Sequence, residues 1–195
     1  MKIKLIKFLD YCIGRPLCYF LTLFKTKNDG HNKLQKILII RPGGIGDAVV
    51  LYPSLKILSN TFKNIQIDIL AEKRNAGIFT KSKYINNLYL YDDFNNLGLL
   101  SVLKNNYDAV IDTEQWHRLS AVVCFLTRAK VRVGFATNER ELLFTNPVDY
   151  NQDDYEAVSF LNLVSELTEK KHKFNKNEAF LDSEKTLNND EFLQF

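Results

Sequence analysis

At 195 residues, 46% hydrophobic and 25% charged, the chain is long enough for one domain with a real core and too apolar to be a disordered tail. Only four prolines and eight glycines occur, which excludes collagenous and low-complexity sequence, and no internal repeat is visible. The net charge of +3 is uneven: residues 1–36 carry eight basic side chains against Asp10 and Asp29, and the remainder is mildly acidic, which argues against a nucleic-acid footprint across the whole domain.

Residues 1–35 read as a basic leader. KIKLIKFLDYCI (2–13) places Ile3, Leu5, Ile6, Leu9 and Ile13 near helical spacing with lysines between them. Gly14-Arg15-Pro16 is expected to interrupt it, and LCYFLTLF follows to Phe24. The apolar runs fall far short of the roughly 20 residues that span a bilayer. Arg15 and Pro16 also split the stretch where a signal peptide needs continuity. Two readings stay open. One is an amphipathic arm lying on an anionic cytoplasmic membrane surface through residues 1–27, with Tyr11 and Tyr19 as interfacial aromatics. The other is a helical extension packed on its own domain or on a missing one.

From Lys36 the pattern becomes that of an α/β domain, over 36–168. KILII (36–40) is the short, β-branched, continuously apolar run expected of a strand buried on both faces. Arg41-Pro42-Gly43-Gly44 ends it, and a helix follows over 47–62, with a kink or short first turn expected at Pro53. Further strands are expected at 65–71, 86–92, 107–113 and 131–135. Helices are expected near 72–80, 95–105, 114–129 and 152–168. Alternating short strands and helices imply right-handed βαβ units, a parallel sheet and a Rossmann-like fold. Ligands of such sheets bind beyond the carboxyl ends of the strands, at residues 41–47, 112–118 and the loops after the second and fifth strands.

Cys12, Cys18 and Cys124 form no CxxC pair and no cluster with His31, His117 or His172, so no metal site is expected and all three read as reduced, small apolar packers in a cytoplasmic protein.

The segment Arg41-Pro42-Gly43-Gly44-Ile45-Gly46-Asp47 joins strand to helix. Its glycines permit positive φ and close approach of a ligand to the backbone. Counted from Gly44 it gives G-x-G-x-x-V, so Val49 breaks the dinucleotide fingerprint, and no Gly-Lys-Ser/Thr makes it a P-loop. Asp47 stands where a pyrophosphate would sit and repels one. The loop fits a neutral polyol that needs a proton acceptor. Aspartate at a helix start is also a preferred cap, and the two roles can coexist.

A second cluster, Asp112, Glu114, Gln115, Trp116, His117 and Arg118, follows the fourth strand. It offers an aromatic face, donors and acceptors, and a cation for phosphate or carboxylate, as a sugar pocket requires. The plainer alternative is that Trp116 packs and Glu114 and Gln115 begin a helix. Lys73, Arg74 and Arg140 could meet acceptor phosphates or simply be solvated.

KILIIRPGGIGDAVVLYPSLKIL resembles the opening strand–loop–helix of glycosyltransferase family 9, the ADP-heptose:lipopolysaccharide heptosyltransferases and relatives, and YDAVIDTEQWHRLSAVVCFLTRAKVRVGF is similar to their fourth strand, helix and fifth strand. The similarity runs from about Lys36 to about Thr168. It implies one half of a GT-B fold, the amino-terminal, acceptor-side domain of an inverting, metal-independent sugar transferase. It needs no cofactor beyond the nucleotide-sugar donor, ADP-heptose, as substrate. By that resemblance Asp47 is the general base. Gly43, Gly44 and Gly46 line the acceptor pocket, where Arg41 and residues 114–118 are also placed.

Residues 169–195 are polar, rich in lysine and asparagine, and read as a linker toward a donor domain that this chain does not contain. Three functions are therefore weighed: a transferase half acting on a lipopolysaccharide-type acceptor, a non-catalytic sugar- or lipid-binding module, and a stand-alone nucleotide-binding Rossmann protein. Asp47 and the broken glycine pattern oppose the third.

Overall fold

The computed structural model describes residues 8, 10–25, 34–93 and 97–177. Within the described residues the leader holds a π-helical turn, Asp10–Gly14, that runs directly into α1 (Arg15–Thr22). The expected interruption at Gly14-Arg15-Pro16 does not occur. Pro16 lies in the first turn of α1, where an N–H would have no intrahelical partner in any case. Residues 1–7, with the first three lysines, lie outside the described residues.

The body alternates as its apolar runs require: β1 (Lys36–Arg41), α2 (Ile45–Val50), α3 (Tyr52–Thr61), β2 (Gln66–Ala71), α4 (Lys73–Phe79), β3 (Asn87–Leu90), α5 (Gly98–Lys104), β4 (Ala109–Asp112), α6 (Arg118–Leu126), β5 (Val131–Phe135), a 3-10 turn at Glu139–Leu143, β6 (Asn146–Val148) and α7 (Glu156–Thr168). The six strands form one parallel sheet in the order β3-β2-β1-β4-β5-β6, a Rossmann-like arrangement. Chain order reverses direction beside β1, between β2 and β4, so the ends of β1 and β4 stand at the switch point.

Successive residues of β1 feed two cores. Ile37 and Ile39 face one side, with Ile69, Ile111 and Val133, and meet Ala48, Leu55, Leu58, Phe160 and Leu163 from α2, α3 and α7. Leu38 and Ile40 face the other, with Leu70 and Val110, and meet Val102, Ala121 and Cys124 from α5 and α6. Cys18 of the leader enters this second core fully buried, so residues 10–22 are packed on the domain. Among the described residues no helix is long and apolar enough to cross a membrane.

Four expectations need correcting. The helix expected over 47–62 starts at Ile45 and is two helices, because Pro53 brings no N–H and the chain turns at Leu51. The helix expected from residue 114 starts at Arg118, so Glu114 and Gln115 do not begin it. The sixth strand was not foreseen; it is three residues long and contains Pro147, tolerated because the strand is at the sheet edge. Of the three cysteines only Cys18 and Cys124 are buried packers, with thiols pushed up by burial (Cys18 to about 11), whereas Cys12 is exposed.

Candidate functional site

The turn after β1 is held from three sides. Gly43 has φ +103, and a Cβ there would lie 2.7 Å from Arg41 Nη2, so both backbone and space demand glycine. Asn75, fully buried at the start of α4, donates through Nδ2 to the carbonyls of Arg41 (3.1 Å) and Gly43 (3.2 Å). Glu72 accepts from the Gly43 N–H at 3.3 Å. Gly44 is the N-cap of α2, and a Cβ at Gly46 would meet nothing within 4 Å. Gly46 is thus open where Gly43 is filled.

Asp47 lies in the first turn of α2 and is not its cap residue. Its Oδ2 accepts from Arg41 Nη2 at 3.1 Å, while 45% of its side chain remains exposed. Arg41 itself is 1% exposed; it donates also to the Thr113 carbonyl at 3.0 Å and lies 5.3 Å from the centre of the Phe160 ring. Burial pulls its guanidinium down, and the carboxylates of Asp47, Glu114, Glu156 and Asp112 push it back up. The site therefore sets a half-exposed carboxylate on a buried cation.

Residues 114–117 form an irregular rim between β4 and α6, fixed from below. Glu114 is almost fully buried: its Oε1 accepts from the N–H groups of Trp116 (3.0 Å) and His117 (3.3 Å) and contacts His117 Nδ1 at 3.0 Å. Burial pushes the Glu114 carboxyl up, but the His117 ring, the Trp116 N–H and Arg140 outweigh it and hold it at about 2. Arg140 is fully buried, not solvated. It pairs with the equally buried Asp112 at 2.6 Å and donates to the Glu114 carbonyl. Burial pushes the Asp112 carboxyl up, and Arg140 opposes it. Thr137 donates to the Gln115 carbonyl and Asn138 to that of Trp116.

Arg118 is not available to an acceptor phosphate, because it pairs with both Asp10 and Glu139. Lys73 pairs with Asp93, and Arg74 with Glu72. His117 joins no metal cluster among the described residues.

Two side chains that sequence reasoning missed complete the rim. Tyr150 presents its ring edge-on to Trp116, with centroids 6.0 Å apart, and donates its hydroxyl to Glu156 Oε2 at 3.1 Å. Gln115 donates to the other oxygen of Glu156. Burial and Glu156 push the Tyr150 hydroxyl up to about 12, and Asp47 and Glu114 add to the rise, so it stays a neutral donor. Asp47 and Glu156 both act on Arg41 and on Tyr150, and Tyr150 meets Trp116, so two aromatic rings and two carboxylates gather around Arg41 at the switch point; we term this group the shelf. Two surface hollows of about 220 and 230 Å³ lie elsewhere, between α3 and α7 near Phe174 and at the amino edge of the sheet near Tyr107. The chemistry of the switch point, rather than hollow size, selects the shelf.

No sequence-family model matches the chain, and no curated protein sequence does. Solved structures do match. E. coli heptosyltransferase WaaC with ADP aligns at a TM-score of 0.63 and 18% identity, over 72% of this chain and 50% of that chain. The glycosyl transferase family 9 protein from Veillonella parvula aligns at 0.58 and 17%, over 70% and 42%. E. coli ADP-heptose lps heptosyltransferase II aligns at 0.53 and 17%, over 67% and 40%. At such identities the likeness is one of fold: this chain carries the Rossmann-like sheet found in heptosyltransferases and spans half or less of their length.

Proposed function

We propose, from the sheet shared with heptosyltransferases, that this chain is the acceptor-side half of a glycosyltransferase. Its substrates are a nucleotide-sugar donor of the ADP-heptose type and a lipopolysaccharide-type acceptor. The residues of this chain span half or less of the matched structures, and the donor-binding half is assigned to the length they do not span. It works at the cytoplasmic face of a membrane, peripherally bound.

One observation carries the reading: the Asp47 carboxylate stands half-exposed at the end of β1, oriented by a buried arginine. In this mechanism a sugar hydroxyl of the acceptor lies on the shelf, its ring against Trp116 and Tyr150 and its other hydroxyls toward Glu156. Asp47 takes the hydroxyl proton as the oxygen attacks the anomeric carbon with inversion, and the nucleoside diphosphate leaves with the former C–O electron pair. The transfer is metal-independent, so a chelator leaves turnover unchanged. Arg41 keeps Asp47 aimed. Arg140 and Glu114 hold the rim in place and touch no substrate.

Titration of the chain with ADP and with a lipid A–inner-core acceptor tests the assignment by calorimetry. Acceptor binding without ADP binding is the expected outcome, and tight ADP binding by the chain alone overturns it in favour of a nucleotide-binding protein. With a donor half restored, Asp47→Asn lowers kcat at least about a hundredfold. Folding is nearly intact, because the amide oxygen can still accept from Arg41. Undiminished turnover removes Asp47 from the mechanism.

A further inference from the structure

We infer that the outward side of the leader is a docking surface for an anionic phospholipid bilayer, placed to bring a lipid-borne acceptor to the shelf. The second part rests on the function proposed above; the first stands without it.

The leader has two unlike sides. Gly14, Leu17, Cys18 and Leu21 recur at helical spacing and face the domain. At Gly14 the approach is so close that a Cβ would lie 2.9 Å from Arg118 Cβ. The opposite side carries Tyr11, Ile13, Tyr19, Phe20, Leu23 and Phe24, each about half or more exposed. Nowhere else among the described residues do exposed large apolar side chains crowd so closely along the chain. A folded domain that leaves such a strip bare has a surface to cover it.

Charge selects the occupant. Residues 1–28 carry Lys2, Lys4, Lys7, Arg15, Lys25 and Lys27 against a single acid, Asp10, which is buried and paired with Arg118. The leader thus joins a strip of exposed aromatic and aliphatic side chains to a basic sequence, and the one acid within residues 1–28 is buried. That is the complement of an anionic headgroup layer over acyl chains. A second copy of the chain would bring two basic leaders face to face, with like charges repelling. The tyrosines fit the boundary between headgroups and tails, with an apolar ring and a polar tip.

The leader is also joined to the shelf. Asp10 Oδ1 accepts from the N–H groups of Arg118 (2.7 Å) and Leu119 (3.0 Å), capping the helix that directly follows Gln115, Trp116 and His117. A bilayer on the strip lies beside the rim, where a membrane-anchored sugar would enter.

Co-sedimentation of the full chain with vesicles tests this. Equal parts phosphatidylcholine and phosphatidylglycerol should carry the chain down, and phosphatidylcholine alone should leave it in the supernatant. The exposed-residue variant F20S/L23S/F24S should bind the anionic vesicles at least about tenfold more weakly while unfolding at the parent's temperature. Asp47→Asn should bind as the parent does, so a failure here and a failure of the catalytic reading remain separate results. Equal binding by the triple variant and the parent overturns the inference, as does no binding to either vesicle. A parent that dimerises through this strip, seen as a sedimentation change abolished by the triple variant without any vesicle binding, overturns it in favour of self-association.

Discussion

The two halves of the shelf are built in opposite ways. The turn after β1 is largely local: Arg41 to Asp47 are seven consecutive residues, the Arg41–Asp47 pair closes over a separation of six, and the outside supports of its backbone, Glu72 and Asn75, come from the single neighbouring turn after β2. The rim after β4 is assembled from afar. Its backbone is held by Arg140, Thr137 and Asn138, its outer face by Tyr150 and Glu156, and the helix behind it by Asp10, more than a hundred residues upstream. A local device tolerates change elsewhere in the fold, whereas an assembled one inherits the stability of each element that reaches it.

That difference can be broken experimentally, and the largest effect is expected at the rim. Arg140→Met strands Asp112 as an unpaired buried carboxylate and should cost about 3–5 kcal/mol at neutral pH by denaturant unfolding. The penalty should shrink in acid, where the carboxyl can take up a proton. A cost below 1 kcal/mol would show that the rim does not depend on its buried pair.

Next comes the pH dependence carried by Glu114. Its carboxyl is ordinarily near 4.5 and is held at about 2 in the fold. A depressed carboxyl contributes stability that is present above the unfolded value and is lost as pH falls through the folded one. About 3 kcal/mol should therefore disappear between pH 4.5 and 2. Glu114→Gln should flatten the stability curve across that window; an unchanged slope would mean that other carboxyls set the acid limit.

The smallest effects separate the glycines of the turn. Gly43→Ala meets both positive φ and the Arg41 guanidinium, and should cost about 1–3 kcal/mol. Gly46→Ala has open space and should leave stability within about 0.5 kcal/mol or slightly raise it. Weakened acceptor binding by Gly46→Ala at unchanged stability would then report a ligand close to that backbone.

How much could be read beforehand follows the same division. The strands at 36, 66, 109 and 131 announce themselves by β-branched runs, and the glycine turn by its composition. The place of Asp47 in the first turn of the following helix is legible too, and a carboxylate there repels a pyrophosphate. Arg41 was legible as a residue of the site but not as a buried one, since an arginine at a strand end gives no sign that Phe160 and Thr113 will enclose it. Tyr150 and Glu156 were out of reach. A three-residue edge strand with a central proline gives no periodic signal, and without that strand nothing brings residue 150 beside residue 116. Arg140 was misread for the same reason: its burial comes from the fold of the 3-10 turn and not from its neighbours in sequence.

The carboxylate of Asp10 terminates α6 from outside the domain body, so the docking of the leader and the order of the rim draw on one free energy. Thermodynamic reciprocity then applies. The coupling is the same read from either end: a ligand that binds the rim more tightly when the leader is docked must hold the leader down by that same free energy.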